Sequence, residues 1–264
     1  MRLNAIVAQF PVTLSIPSNL EIIDSVLEQT NVGDLVIFPE GAVSGYSTDT
    51  IFLQQIDHEE LTAGLEHVRN EAKRRKINIW VGACVNIEGA WFNTAQGFLS
   101  DGQVHIYHKI NLATHERGVF SMGNHLPVFE LNTPEGKIKV GIQICRELRF
   151  PEQWGWLARR GAQILLHLNN AIGIDTVQPV WKSHLISRAA ETQRFVLSAN
   201  NAAPKQISPT IAIAPDGQVM AEIVSAELNV LRVELDVSKI SNLYLDQSRS
   251  DVVTINANNT ENTA

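Results

Sequence analysis

Residues 138–168 read IKVGIQICRELRFPEQWGWLARRGAQILLHL, and this stretch decides the fold class. An apolar run at 138–144 predicts a buried strand, and a second apolar run at 163–168 predicts another. Between them, 151–160 opens with proline and is followed by glycine, which is the usual asymmetry of a helix. A strand, a helix and a second strand in this order form a β-α-β unit with parallel strands. The stretch therefore predicts an α/β domain.

The chain on either side of this stretch continues the same alternation. Upstream, the pattern predicts a helix from 18, a helix over 58–76 and strands over 3–9, 34–39, 78–85, 91–99 and 103–109. Downstream, it predicts a helix over 179–194 and strands over 195–200, 209–214 and 230–235. The two halves have similar element order and no linker rich in Pro, Gly or Ser separates them. We therefore expect one domain over 1–255 with two sheets packed face to face and helices outside, followed by a disordered polar tail at 256–264.

Composition narrows the class of protein. The chain has 264 residues, of which 44% are hydrophobic, so it is long enough for one large core. Its net charge of −7 and its single short basic cluster at 73–76, expected at a helix end, argue against a nucleic-acid partner. No apolar stretch approaches the roughly 18 residues of a membrane span, and the first residues lack a signal-peptide pattern. With only Cys84 and Cys145 as cysteines, we expect a cytoplasmic protein without a disulfide framework or a membrane partner.

Three reactive side chains follow directly after predicted buried strands. Glu40, Lys109 and Cys145 each stand where a predicted buried strand ends. The ends of strands are where open α/β sheets bind their ligands. A cysteine becomes nucleophilic when it loses its proton, which a carboxylate can accept while a cation stabilises the negative charge. These residue types therefore indicate thiol catalysis.

Taken singly, each residue also has an ordinary structural interpretation. A cysteine after an apolar strand is most often a packed core residue, which is also our interpretation of Cys84. Glu40 alone could cap a helix, and Lys109 alone could be an exposed cation on a hairpin. The surrounding motifs decide between these interpretations.

Several motifs, in this order along the chain, resemble those of the nitrilase superfamily of carbon-nitrogen hydrolases. They are a glutamate motif at 38–40 with 45–46 (FPE and GY), a lysine motif at 107–109 that continues to 123, a nucleophile motif at 145–152 (CRELRFPE), and landmarks at 187–191, 199–200 and 213–217. The resemblance covers about 3–252. Each motif alone is weak, but their joint occurrence in order is specific.

The resemblance implies a four-layer α-β-β-α sandwich and a Glu-Lys-Cys triad. Carried over by position, Glu40 is the general base, Cys145 attacks the carbon of the C–N bond, and Lys109 stabilises the developing oxyanion. The backbone N–H of Arg146 would be the second oxyanion donor. Glu116 matches a second glutamate that positions the substrate and Lys109; its alternative is an exposed loop residue. The family commonly forms a homodimer, so we expect a homodimer or a higher homo-oligomer.

Four positions depart from the pattern of the family. Arg146 replaces the usual aromatic residue beside the nucleophile, and Glu147 replaces the usual aspartate. The Arg146 guanidinium could bind a substrate carboxylate or pair with a neighbouring glutamate. Asn169 and Asn170 replace small or apolar residues, which predicts a more polar wall of the substrate pocket.

The sequence favours hydrolysis of a small amide through a cysteine thioester, with release of ammonia or an amine. Alternatives are a nitrile hydrolase, an N-carbamoyl amine hydrolase, an acyltransferase that uses the same thioester, and a catalytically silent scaffold. A metal enzyme is not favoured, because the neighbouring histidines His105 and His108 point to opposite faces of a predicted strand. No metal and no cofactor is therefore predicted.

Overall fold

The computed structural model describes residues 1–173, 178–249 and 251–252, which form two six-stranded sheets. The strands are β1 (Arg2–Gln9), β2 (Leu35–Ile37), β3 (Asn78–Ile87), β4 (Ala90–Phe98), β5 (Val104–His108), β6 (Val128–Thr133), β7 (Gly136–Ile144), β8 (Ile164–Leu168), β9 (Phe195–Ala199), β10 (Thr210–Ile213), β11 (Val219–Ile223) and β12 (Asn229–Asp236). The α-helices are α1 (Ile16–Leu27), α2 (His58–Arg75), α3 (Pro151–Arg159), α4 (Gln178–Thr192) and α5 (Leu243–Gln247). Short 3-10 helices lie at Thr50–Gln55, Cys145–Arg149 and Val237–Lys239.

The two sheets have the same pattern of strand directions. Their orders are β12-β1-β2-β3-β4-β5 and β11-β10-β9-β8-β7-β6. In the first sheet β1, β2 and β3 are parallel, and in the second sheet β7, β8 and β9 are parallel. All other pairs are antiparallel. The order of the elements predicts two similar halves. In the structure, this similarity lies in the topology of the two sheets.

Alternating side chains of the strands build the layers. In β1, Leu3, Ala5 and Val7 pack between the two sheets, whereas Ile6 and Ala8 pack against the helices. This alternation follows from the two-residue repeat of a strand. Helices α1 and α2 cover the outer face of the first sheet, and α3 and α4 cover that of the second. The predicted four-layer α-β-β-α sandwich is confirmed.

Some predicted elements differ from the structure. Strands β6 and β11 were not predicted, because they are edge strands whose residues are mostly exposed or half-buried and so lack a buried apolar run. The strand predicted at 230–235 as the end of the second half lies in the first sheet instead, where β12 pairs with β1. The helix predicted from 18 begins at Ile16, because the Ser15 side chain accepts the Ser18 N–H and caps it.

The predicted domain boundary at 255 and the tail at 256–264 lie outside the described residues. Within the described residues, no helix is long and apolar enough to cross a membrane. The basic cluster at 73–76 ends α2, as expected for cations at a helix C-terminus.

The ends of four strands meet where the sheets face each other. Glu40 follows β2, Lys109 follows β5, Cys145 follows β7 and Asn169 follows β8. The Glu40 N–H donates to the Asn169 carbonyl across the two sheets at 3.3 Å. Strand ends of both sheets thus contribute to one site.

Candidate active site

A tight turn after β2 places Glu40 in the interior of the protein. Gly41, the next residue, has φ +69°, which glycine adopts without strain. A Cβ atom on Gly82 of β3 would lie 2.6 Å from the Glu40 Cα, so glycine is required there for the turn to approach the strand. As a result Glu40 is fully buried.

A buried lysine bridges two buried carboxylates. Lys109 Nζ donates to Glu40 Oε1 at 2.8 Å and to Glu116 Oε1 at 2.9 Å, and all three side chains have no exposed surface. Asn93 Nδ2 on β4 donates to the same two oxygens at 2.7 and 2.8 Å. The other oxygen of Glu40, Oε2, is buried and has no hydrogen-bond partner among the described residues. This oxygen is therefore free to accept a proton.

Further hydrogen bonds fix the orientation of Glu116. The Tyr46 hydroxyl donates to Glu116 Oε1 at 2.7 Å, and the Ala113 N–H donates to Oε2. Because the hydroxyl proton is used in this way, the Tyr46 oxygen accepts from His115 Nε2 at 2.9 Å. The alternative of an exposed loop glutamate does not apply to Glu116, which is fully buried.

A single carboxylate connects the segments that carry Cys145 and Lys109. Glu147 Oε2 accepts the N–H of Ile144, the residue before the cysteine, at 2.8 Å. Its Oε1 accepts the N–H of Ile110, the residue after the lysine, at 2.8 Å. Burial raises the pKa of Glu147 to about 7, against the hydrogen bonds that it accepts. Glu147 therefore holds the two segments at a fixed distance from each other. Its carboxylate does not pair with Arg146.

The backbone at Cys145 is strained. Its φ of +47° lies in the left-handed region, which costs a residue with a side chain of this kind about 1–3 kcal/mol. Three buried side chains hold the turn by contacting its carbonyl oxygens: His167 Nε2 with Cys145 (2.9 Å), Trp154 Nε1 with Glu147 (3.0 Å) and Arg188 Nε with Leu148 (3.1 Å). The surrounding structure thus determines a conformation that the cysteine alone would not prefer.

The electrostatics of the site keep Cys145 protonated before substrate arrives. Burial raises the pKa of the thiol well above its usual value, and the charge of Glu40 raises it further against the opposing charge of Lys109. Burial disfavours the charged form of Lys109, but Glu40, Cys145 and Glu116 raise its pKa nonetheless. Burial also acts to raise the pKa of Glu116, but Lys109 lowers it overall. The positive charge of Lys109 balances only one of the two carboxylates, so one negative charge remains in the cluster. A thiolate at Cys145 would add a second.

The residues predicted to contact substrate lie around this cluster. Asn169 is fully buried, and neither polar atom of its side chain has a partner among the described residues. Asn170 Nδ2 donates to the Glu40 carbonyl at 3.4 Å, and its Oδ1 accepts from Asn201 at 3.0 Å. Arg146 is half-buried, and its Nε has no partner in the described part of the chain.

Sequence reasoning assigned no role to several residues of this site. Tyr46 was noticed only as part of a motif, and Asn93, Glu147 and His167 were not proposed for the site. His167 carries a detectable signal, because it is the polar residue in a strand that is otherwise apolar and fully buried. Asn93 carries a weaker one, because its strand also contains the polar residues Thr94 and Gln96. The hydrogen bond between Glu147 and the segment after Lys109 has no comparable signal, because its two partners are distant in the chain.

The second cysteine is a core residue. Cys84 is fully buried in β3 and packs with Phe52, Leu112 and Phe120. Burial raises the pKa of its thiol as well. In the described ranges, no group of three or more His, Cys, Asp or Glu side chains is arranged to hold a metal ion.

Comparison with known proteins places this site in a family. Residues 5–244 match the family described as carbon-nitrogen hydrolase. An (R)-stereoselective amidase from Pseudomonas sp is 25% identical over 86% of this chain and 83% of its own length. The 2-oxoglutaramate amidase of Bacillus subtilis (strain 168) is 27% identical over 88% of this chain and 90% of its own. A mutant of the amidase from Nesterenkonia sp. AN1, solved with butyramide, has a TM-score of 0.77 and 25% identity over 96% of this chain and 95% of its own. Because the family match spans nearly the whole chain, including Glu40, Lys109 and Cys145, this protein belongs to the carbon-nitrogen hydrolase family.

Proposed function

We propose that this protein hydrolyses the C–N bond of a small amide through an acyl group held on Cys145. The observation that carries the proposal is the buried cluster of Glu40, Lys109 and Glu116 beside a cysteine in a strained turn. Burying three charges at one place costs the fold desolvation energy. Clusters of this kind are concentrated at catalytic sites, where the charges take part in the reaction. The amidases among the related proteins support an amide as substrate.

The first half of the reaction forms a thioester. Glu40 takes the thiol proton, the sulfur of Cys145 forms a bond to the amide carbon, and the carbonyl oxygen becomes an oxyanion. Lys109 Nζ and the Arg146 N–H stabilise that oxyanion. When it collapses, the C–N bond breaks and the proton passes from Glu40 to the departing nitrogen, which leaves as ammonia or an amine.

The second half releases the acid with the same base. Water attacks the thioester carbon and gives its proton to Glu40. The C–S bond then breaks, and Glu40 returns the proton to the Cys145 sulfur. Glu116 orients Lys109 in both halves without transferring a proton. A single base can serve both steps because Glu40 Oε2 has no competing hydrogen bond among the described residues.

Polar side chains on the other side of the site are proposed to contact the substrate. The unpartnered amide of Asn169 can bind the substrate carbonyl or amide group, and Asn170 can extend this polar wall. The Arg146 guanidinium can bind a carboxylate elsewhere on the substrate. Replacing Asn169 by Ala should raise KM more than it lowers kcat, which steady-state kinetics would measure.

Interception of the thioester tests the proposal. Hydroxylamine is a stronger nucleophile than water, so it should convert part of the product from acid to hydroxamate as its concentration rises. The intact mass of protein quenched during turnover should show an acyl adduct, and Cys145→Ala should show neither product nor adduct. A well-used amide that yields no hydroxamate and no adduct would refute the thioester mechanism.

A substrate panel tests the chemical class. Ammonia release from small amides, ω-amides, N-carbamoyl amines and nitriles should be fastest with an amide. Faster release from a nitrile or a carbamoyl compound would show that this class, and not an amide, is the substrate. Acyl transfer to an added amine in preference to water would indicate a transferase.

The oligomeric state of the protein and its cellular compartment are also proposals. We propose a homodimer or a higher homo-oligomer, which sedimentation equilibrium would measure directly. Both cysteines are free thiols, which suits a reducing compartment, so we propose the cytoplasm. Fractionation of cells that express the tagged chain would test that location.

A further inference from the structure

A buried histidine lies directly beneath the turn that carries Cys145. His167 is fully buried in β8, on the face that packs against α3 and α4. Its Nε2 is 2.9 Å from the carbonyl oxygen of Cys145, and its Nδ1 is 2.8 Å from Ser198 Oγ. Ser198 is the register partner of His167 on β9 and is also fully buried. The mechanism above uses neither residue.

These contacts determine which nitrogen of His167 carries the proton. A carbonyl oxygen only accepts hydrogen bonds, so the contact with Cys145 requires a proton on Nε2. Burial lowers the pKa of His167 to about 4, with Lys109 adding to the effect against the carbonyl contact. The ring is therefore neutral at ordinary pH, and Nδ1 is an acceptor. Ser198 satisfies it by donating its hydroxyl proton.

The position of this carbonyl fixes the direction of an N–H group. The Cys145 carbonyl and the Arg146 N–H belong to one peptide unit, which is planar and trans, so they point in opposite directions. His167 holds the carbonyl on the helix side of the sheet. The Arg146 N–H must then point away from the helices, toward the side of the sheet from which Glu40 and Lys109 approach.

We propose that His167, held by Ser198, is a positioning residue that orients the Cys145–Arg146 peptide unit so that the Arg146 N–H can bind the oxyanion. This inference rests on the proposed function, because the oxyanion is that of the amide reaction. A histidine that only satisfied its own polar atoms would not need to contact the one carbonyl whose peptide unit contains the oxyanion donor. Nor would it be expected to affect kcat separately from stability.

Substitutions at these two positions test the role in catalysis. His167→Leu removes the donor and should lower kcat by about 10²-fold, the usual effect of impairing one oxyanion donor, with KM nearly unchanged. His167→Gln should restore most of kcat, because the Gln Nε2 can donate to the same carbonyl. Ser198→Ala leaves the ring in place but frees its orientation, so its kcat should lie between those of His167→Leu and wild type. Ile164→Val, a matched change in the core of the same strand, should keep kcat while lowering Tm.

A kcat of His167→Leu equal to that of wild type would overturn the inference. So would a failure of His167→Gln to recover activity when its Tm equals that of wild type.

Nuclear magnetic resonance of ¹⁵N-histidine-labelled protein tests the placement without any substrate. Long-range ¹H–¹⁵N spectra should show His167 as the Nε2–H tautomer, unchanged between about pH 5 and 9, with the signal assigned by its absence from His167→Gln. An Nδ1–H tautomer, or titration near the usual pKa of histidine, would overturn the inference. If wild type turned over no amide, the proposed function would fail, and the same spectra would still decide whether His167 holds this carbonyl.

Discussion

Replacing Glu116 by Gln should change reactivity toward alkylation and turnover in opposite directions. The variant keeps an oxygen that can accept from Lys109, Asn93 and Tyr46 but removes one of the two negative charges beside the lysine. With that charge absent, a thiolate at Cys145 is less strongly repelled. The pKa of the thiol should therefore fall.

Coulomb's law gives the order of magnitude of the effect. Glu116 is one of the charges that raise the pKa of Cys145. For an assumed separation of about 7 Å, two unit charges interact by about 2.4 kcal/mol at an effective dielectric constant of about 20. This energy corresponds to between one and two pKa units. At a pH below both pKa values, the thiolate fraction, and with it the rate of alkylation, should rise about tenfold or more.

Turnover should fall in the same variant. The Gln amide nitrogen would face the N–H of Ala113, so the side chain loses an acceptor there and Lys109 loses one of its two charged partners. A misplaced catalytic group can lower kcat by about 10²-fold. We therefore expect kcat to fall by about 10- to 100-fold.

The assay compares the rate of Cys145 alkylation by a small uncharged thiol reagent with kcat, both measured from about pH 6 to 9, which is below the raised pKa of the thiol in both proteins. Glu130→Gln is a matched control, because Glu130 is an exposed glutamate whose partner is Lys137 on the surface. It should leave both rates unchanged. Slower or unchanged alkylation of Glu116→Gln would refute the electrostatic reasoning, and normal kcat would refute the positioning role of Glu116.

Three further predictions concern the cysteines, metals and pH. Cys145→Ala should abolish turnover without unfolding the protein, whereas Cys84→Ala should keep turnover and lower the free energy of unfolding by about 1 kcal/mol, as measured by urea denaturation. Retained turnover in Cys145→Ala would refute the hypothesis that the Cys145 thiol is the nucleophile. Prolonged chelation should leave activity unchanged, and a loss that one divalent ion reverses would contradict this. Because burial lowers the pKa of His167 to about 4, the unfolded chain binds a proton below about pH 6.5 that the folded chain does not. Wild type should therefore lose up to about 3 kcal/mol more stability than His167→Gln between about pH 6.5 and 4; equal losses would show that His167 does not titrate in this way.

Local patterns in the chain predicted the fold class and the central residues of the site. Apolar runs marked most of the strands, and Glu40 and Cys145 could be singled out because each follows such a run. The buried strand predicted before Lys109 is wrong, because β5 is an edge strand whose residues are mostly exposed or half-buried. A run of buried apolar residues is a local property, readable without knowing what the strand pairs with. Resemblance to a family then supplied the order of the layers and pointed to Glu116.

Tertiary structure alone decided which distant groups meet. The pairing of β12 with β1 joins the last strand to the first among the described residues, and no local periodicity records such a pairing. Sequence also could not show that Glu147 contacts the segment after Lys109, or that His167 lies beneath Cys145. Each of these contacts is a hydrogen bond made by a buried group, and its partner is chosen by the packing of strands and loops distant in sequence. The sequence by itself therefore determined which residues are reactive, while the positions that allow them to act together depend on the packing of the two sheets.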